Sequence, residues 1–110
     1  MPKIDLTTEI HIVHGPRAME VLIPMAGRPT HHWQVLFRKK AKTAQIDAAV
    51  DDKPDRFWIL LRVPVDRDHR QIIKIMNDVR TLIDDVNANE HSQAAIDAEA
   101  VIRNWWAQQQ

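Results

Sequence analysis

The side chains that could do chemistry are histidines, carboxylates and one serine, and their spacing keeps them apart. The chain has 110 residues, six histidines and no cysteine, which excludes thiol nucleophiles, disulfides and zinc sites built on thiolates. His11 and His14 lie three residues apart in a predicted strand, so they point to opposite faces. His31 and His32 diverge by about 100° on a predicted helix. Because metal ligands must converge on one point, we expect no metal site.

Nucleophilic and acid–base chemistry has equally weak support in the residue pattern. Ser92 is the only serine, and its neighbour His91 is adjacent in sequence, which is not the geometry of a catalytic triad. The four aspartates between residues 47 and 55 are typical of an exposed strand face and a polar turn. Two glycines in the whole chain leave no glycine-rich phosphate loop. We expect no catalytic residue and no cofactor, and we favour a protein that is not an enzyme.

A basic run after residue 37 is the best candidate for a nucleic-acid contact. Phosphate binding needs several cations on one surface, but 15 Lys and Arg against 15 Asp and Glu give a net charge of zero. Aromatic side chains for base stacking are lacking there. Nucleic-acid binding is therefore an alternative, and a solvated helix end is the simpler interpretation. The residues concerned are Arg28, Arg38, Lys39, Lys40 and Lys42.

Large apolar side chains are the other unusual feature. Trp105 and Trp106 stand side by side near residue 110, where they either pack in the core or anchor a contact with another protein. Trp58 and Leu60 fall on the second face of a predicted strand, which a two-layer fold leaves open. Ile73 lies off the centre of its helical stripe and is expected to meet the last helix or a partner. These five residues are the predicted interface.

Periodicity predicts the elements that must position these residues. Apolar residues alternate with a period of two over 3–14, 18–24, 44–50 and 57–63, which predicts four strands. Residues 31–42 favour a helix capped by Thr30, with a third strand as the alternative. The longest helical signal runs from Asp66 to Asn87. Asn87-Ala88-Asn89 should end it, because asparagine tolerates the left-handed conformation of a helix C-terminus.

A last helix is predicted over about 90–107, lying on the domain or on a partner subunit. Its apolar face consists of Ala94, Ala95, Ala98, Val101, Ile102, Trp105 and Trp106. The order ββαββαα indicates one α+β domain over 1–110, a two-layer sandwich with a four-stranded, mainly antiparallel sheet and its helices on one face. No stretch approaches the roughly 18 apolar residues of a membrane span, so we expect a cytoplasmic protein without membrane contact.

A resemblance accompanies this pattern. The Trp-x-x-Leu-Phe helix (Trp33, Leu36, Phe37) and the helix ending Leu-Ile-Asp-Asp-Val-Asn (82–87) resemble small uncharacterised α+β proteins of actinobacteria over roughly residues 18–88. The resemblance implies no function. The leading hypothesis is a non-enzymatic module that forms a homo-oligomer, for example a homodimer, or binds a protein partner. The alternatives are a nucleic-acid binder, and a small-ligand carrier or enzyme with a pocket between sheet and helices.

Overall fold

One antiparallel sheet and two helices make up the fold. The computed structural model describes residues 2–110, apart from the side chains of residues 91–94. Over this range the sheet has the order β1–β3–β5–β4, and β2 pairs with β3 on the same edge as β1. The elements are β1 Lys3–Ile4, β2 His11–His14, β3 Ala18–Ala26, α1 His31–Thr43, β4 Ala48–Asp52, β5 Phe57–Pro64 and α2 His69–Gln109.

The first predicted strand is interrupted, so its prediction as one element over 3–14 was wrong. β1 pairs with the end of β3 and β2 with its beginning. Between them the Asp5 carboxylate accepts hydrogen bonds from the Thr7 amide at 2.9 Å and the Thr7 hydroxyl at 2.5 Å, and from Thr8 Oγ1 at 2.7 Å. Arg56 Nη1 also donates to Asp5, at 3.1 Å. These local bonds compete with the ladder and turn the chain out of the sheet.

The same contacts perturb the acidity of Asp5. Hydrogen bonds from the Thr7 side chain, then from Thr8 and the Thr7 amide, stabilise the carboxylate and hold the pKa of Asp5 far below its usual range. The Arg56 guanidinium contributes in the same direction. The charged form of Asp5 therefore holds this turn in place.

Helix α1 confirms the helical interpretation of residues 31–42. The Thr30 hydroxyl accepts the Trp33 amide at 3.0 Å, as a helix N-cap does. At the other end the amides of Gln45 and Ile46 donate to Lys42 and Ala41, and Gln45 has a φ of 58°. This is a Schellman end with glutamine where glycine is usual. It makes β4 begin at residue 48, later than the predicted 44.

The core lies between one face of the sheet and the two helices. Trp33 stacks on Phe37 with 5.3 Å between ring centroids, and its edge meets Phe57 at 5.8 Å. Residues of β3 and β5 alternate between this core and the opposite face, as a period of two requires. The hydrophobic core cluster consists of Val21, Ile23, Met25, Trp33, Phe37, Ala41, Phe57, Ile59, Leu61, Val63, Val79, Leu82, Ile83 and Val86. The predicted α+β class, with helices on one face of an antiparallel sheet, is confirmed.

Helix α2 is a single helix of 41 residues, so the prediction of two helices separated at 87–89 was wrong. Asp68 begins it with a capping box: its carboxylate accepts the Gln71 amide, and the Gln71 side chain accepts the Asp68 amide. The Asn87 carboxamide is engaged elsewhere, with Trp33 Nε1 at 2.8 Å and the Pro2 carbonyl at 2.6 Å. Neither Asn87 nor Asn89 has the positive φ of a left-handed helix end, and the helix continues.

Candidate functional site

The last part of α2 leaves the domain, and we call residues 95–110 the arm. Glu90 still contacts the domain, because the Thr30 hydroxyl donates to its carboxylate. Every residue from 95 to 110 is exposed. At 1.5 Å per residue, the arm is about 24 Å long. A helical segment whose side chains are exposed over its whole length is available to contact another molecule.

One side of the arm is apolar, and we call it the arm face. On a helix its side chains fall within about 140° of arc. Exposure is 57% for Trp105, 60% for Trp106, 65% for Ile102 and 69% for Val101. The two indole rings lie 6.3 Å apart between centroids. The face consists of Ala95, Ala98, Val101, Ile102, Trp105 and Trp106.

The arm face is not a continuation of the core stripe of α2. The stripe from Ile72 to Val86 packs on the sheet, and at about 100° per residue the centre of the arm face is rotated by about 120° from it. The arm face therefore points away from the side of α2 that packs on the sheet, and a longer sheet would not cover it. Its polar side carries Arg103 and Glu99, which form an ion pair at 2.7 Å.

The structure separates the five predicted interface residues into three places. Trp105 and Trp106 are on the arm, while Ile73 is exposed on α2 about 33 Å from Ala95. Because α2 is continuous, Ile73 does not meet a separate last helix, so that alternative was wrong, and its contact with a partner stays a prediction. Val101 and Ile102 lie on the same side of the arm as the tryptophans but were not among the predicted interface residues. The helical period predicts this placement, whereas the interface prediction was based on the large aromatic side chains of Trp105 and Trp106.

Trp58 and Leu60 lie on the sheet face that the helices leave uncovered. Both are half-buried, which is less exposure than a bare sheet face predicts. His11 from β2 packs on Trp58 with 4.9 Å between ring centroids, and the Arg56 guanidinium lies 5.8 Å from the Trp58 ring. The role of Trp58 and Leu60 in an interface stays a prediction.

The five basic residues are not equally available to an anion. Arg28 donates to Asp52 at 3.0 Å and to the carbonyls of Lys53 and Pro54. Lys40 Nζ lies 2.9 Å from Asp85 Oδ2. The other three, Arg38, Lys39 and Lys42, are exposed. Two of the five charges are thus balanced by carboxylates of the same chain, and nucleic-acid binding stays an untested alternative.

An open groove of about 770 Å³ runs between α1 and α2, and a second cavity of about 580 Å³ lies between β5 and α2, where Leu61 and Ile75 line it. Leu36 and Lys39 of α1 and Asp78 and Leu82 of α2 are among the residues that line the first groove. Among the described residues, the lining combines apolar side chains with lysines and aspartates, of which Lys40 and Asp85 are paired with each other. The small-ligand hypothesis stays an untested prediction.

Histidines and carboxylates do not converge in the part of the chain whose side chains are described. No group of three or more is arranged to hold a metal ion there. His11 and His14 point to opposite faces of the sheet, as their spacing predicts, because they pair with Leu22 and Met19 of β3. The side chains of His91 and Ser92 lie outside the described residues.

Comparisons with protein-family models, curated proteins and solved structures find no match for this chain. The resemblance to actinobacterial α+β proteins therefore stays a prediction. Across the described residues, no helix has an apolar stretch long enough to cross a membrane.

Proposed function

We propose that this protein is a non-enzymatic module, acting in the cytoplasm, that self-associates or binds a protein partner through the arm. The observation that carries the proposal is the exposure of Trp105 and Trp106 on a helix that extends beyond its own domain. Tryptophan is enriched among the residues that dominate binding energy at protein interfaces. Large apolar patches on a soluble protein mark such contact surfaces.

The arm is also suited to association because the preceding part of α2 has already nucleated its helix. An isolated helix of this length is marginal in water, since nucleation is costly. Here the arm continues a helix whose first half is held by the core, from Val79 to Val86. A partner therefore has to stop the arm from fraying but does not have to fold it.

Sedimentation velocity from about 1 to 200 µM tests the proposal. We expect a concentration-dependent increase in mass for the native chain. The double variant Trp105→Ala/Trp106→Ala should weaken association by about 100-fold or more, because it removes the two largest contacts. Alanine favours helix, so the variant keeps the arm helical.

Ile96→Ala is the matched control. Ile96 is 58% exposed, as the tryptophans are, but lies on the opposite side of the arm. We expect its association to equal that of the native chain. Association that survives in the double variant, or that falls equally in the control, would contradict the arm face as the contact surface. A chain that stays monomeric throughout the range would rule out self-association.

A further inference from the structure

The order of small and large side chains along the arm face indicates which molecule it contacts, an inference that rests on the proposed function of the arm as a contact element. From Ala95 the side chains on its centre line are small, small, large, large: Ala95, Ala98, Ile102 and Trp105. The spacing is three, four and three residues, which is the spacing of a seam between two helices. The first half of the seam therefore has small side chains, and the second half has large ones.

We infer that the occupant is a second copy of this chain, lying antiparallel with residue 100 at the centre of the pair. In that register Ala95 faces Trp105 of the second copy, and Ala98 faces its Ile102. The two-fold axis repeats both layers in reverse, which gives four layers. Each layer joins one alanine to one large side chain, the alternation of small and large that fills the space between packed helices.

A parallel pair lacks this complementarity. It would place Trp105 against Trp105 and Ala95 against Ala95, so one end of the seam would be crowded and the other would be empty. Voids and overpacking both destabilise a packed interface. Two arm faces are therefore more complementary in shape when the helices are antiparallel than when they are parallel.

The flanks of the seam meet differently in the two orientations. In an antiparallel pair each flank meets its own counterpart, so Val101 contacts Val101 on one side. On the other side the two Glu99 carboxylates approach each other, and each is balanced by Arg103 at 2.7 Å in its own chain. In a parallel pair Val101 would instead face the other flank of the second copy, which carries Glu99 and Trp106.

The exposed area is sufficient for a weak dimer. Each tryptophan of the arm offers about 150 Å² at its observed exposure, and the whole arm face about 500 Å². Two copies would bury about 1,000 Å², near the lower limit for specific interfaces. We expect a dissociation constant in the micromolar range, because area at this limit leaves little surplus over the cost of association.

Distances between spin labels test the orientation. The chain has no cysteine, so Gln110→Cys places one label per copy. In the antiparallel register the two labels are separated by 20 residues along the axis, or about 30 Å. In a parallel pair they are separated only by the helix diameter, about 10 to 12 Å, and the label arms.

Ala100→Cys is the internal control, because residue 100 lies at the centre of the proposed pair and on the outer side of the arm. A dimer whose Gln110→Cys distance exceeds the Ala100→Cys distance by at least about 10 Å supports the inference. Equal distances at the two positions in a dimer would overturn the orientation but leave the proposed function intact. A monomer at about 200 µM would overturn the second copy as occupant.

Discussion

Replacing Asn87 by alanine tests how the tertiary structure uses a residue that the sequence marks as a helix end. The Asn87 carboxamide joins three parts of the chain: it accepts from Trp33 Nε1 at 2.8 Å and donates to the Pro2 carbonyl at 2.6 Å. Trp33 is fully buried and packs on Phe37 and Phe57. Removing the carboxamide therefore leaves the indole N–H without its partner inside the core.

Two effects of opposite sign decide the magnitude. Each lost hydrogen bond is worth about 1 kcal/mol, and the buried Trp33 donor left without a partner costs about 1 to 3 kcal/mol instead. Alanine raises helix propensity at position 87 by about 0.6 kcal/mol. The tertiary term is the larger, so we expect Asn87→Ala to lower the free energy of unfolding by about 2 kcal/mol. The midpoint of thermal unfolding should fall by about 10 °C.

Urea unfolding followed by circular dichroism at 222 nm measures this change, at about 2 µM so that association contributes little. Asn89→Ala is the matched control, since Asn89 is exposed and its amide donates to the carbonyl and carboxylate oxygens of Asp85 within α2. Its stability should stay within about 0.5 kcal/mol of the native value. If Asn87→Ala is as stable as Asn89→Ala, the reasoning about the Trp33–Asn87–Pro2 connection is wrong.

Two further predictions concern Asp5 and Gln45. The pKa of Asp5 is lowered in the folded chain, so its stabilising contribution is complete above the unfolded pKa near 4 and is lost as pH falls towards the lower folded pKa. Thermal unfolding between about pH 2 and 5 should therefore show a steeper loss of stability for the native chain than for Asp5→Asn. Equal slopes for the two proteins would contradict this prediction. Gln45 has a φ of 58° at the end of α1, a left-handed conformation that costs a residue with a side chain about 1 kcal/mol. In urea unfolding, Gln45→Gly should therefore raise the free energy of unfolding by about 0.5 to 1 kcal/mol. A loss of stability would instead show that the Gln45 side chain makes a stabilising contact.

The sequence by itself determined the class of fold and most of its elements. Period-two alternation in 18–24 and 57–63 predicts β3 and β5, because strand side chains must alternate between a core and another face. The stripe from Ile72 to Val86 predicts the helix that covers the sheet. Thr30 predicts the start of α1, since a hydroxyl before a helical pattern satisfies an otherwise unpaired amide. These features are local, and a local pattern is sufficient to specify them.

The turns could not be predicted as well from the sequence, because their conformations depend on side chains that can form hydrogen bonds with more than one partner. Asp5 lies in an alternating run and still leaves the ladder, since Thr7, Thr8 and Arg56 compete for its carboxylate. Gln45 ends α1 in a conformation for which the sequence offers no glycine. In both places the outcome depends on the balance between neighbouring bonds, which the pattern of apolar residues does not report.

Only the tertiary structure decided where α2 stops. Asn87 and Asn89 permit a helix end, but a helix ends there only if the backbone turns left-handed, and the core instead holds the Asn87 carboxamide on Trp33. The apolar period of the arm was visible in the sequence, and so were Trp105 and Trp106. Whether they face the sheet or the solvent depended on the continuity of one helix across residues 87–89. Because that helix runs straight through, the side chains that resemble core residues lie outside the domain.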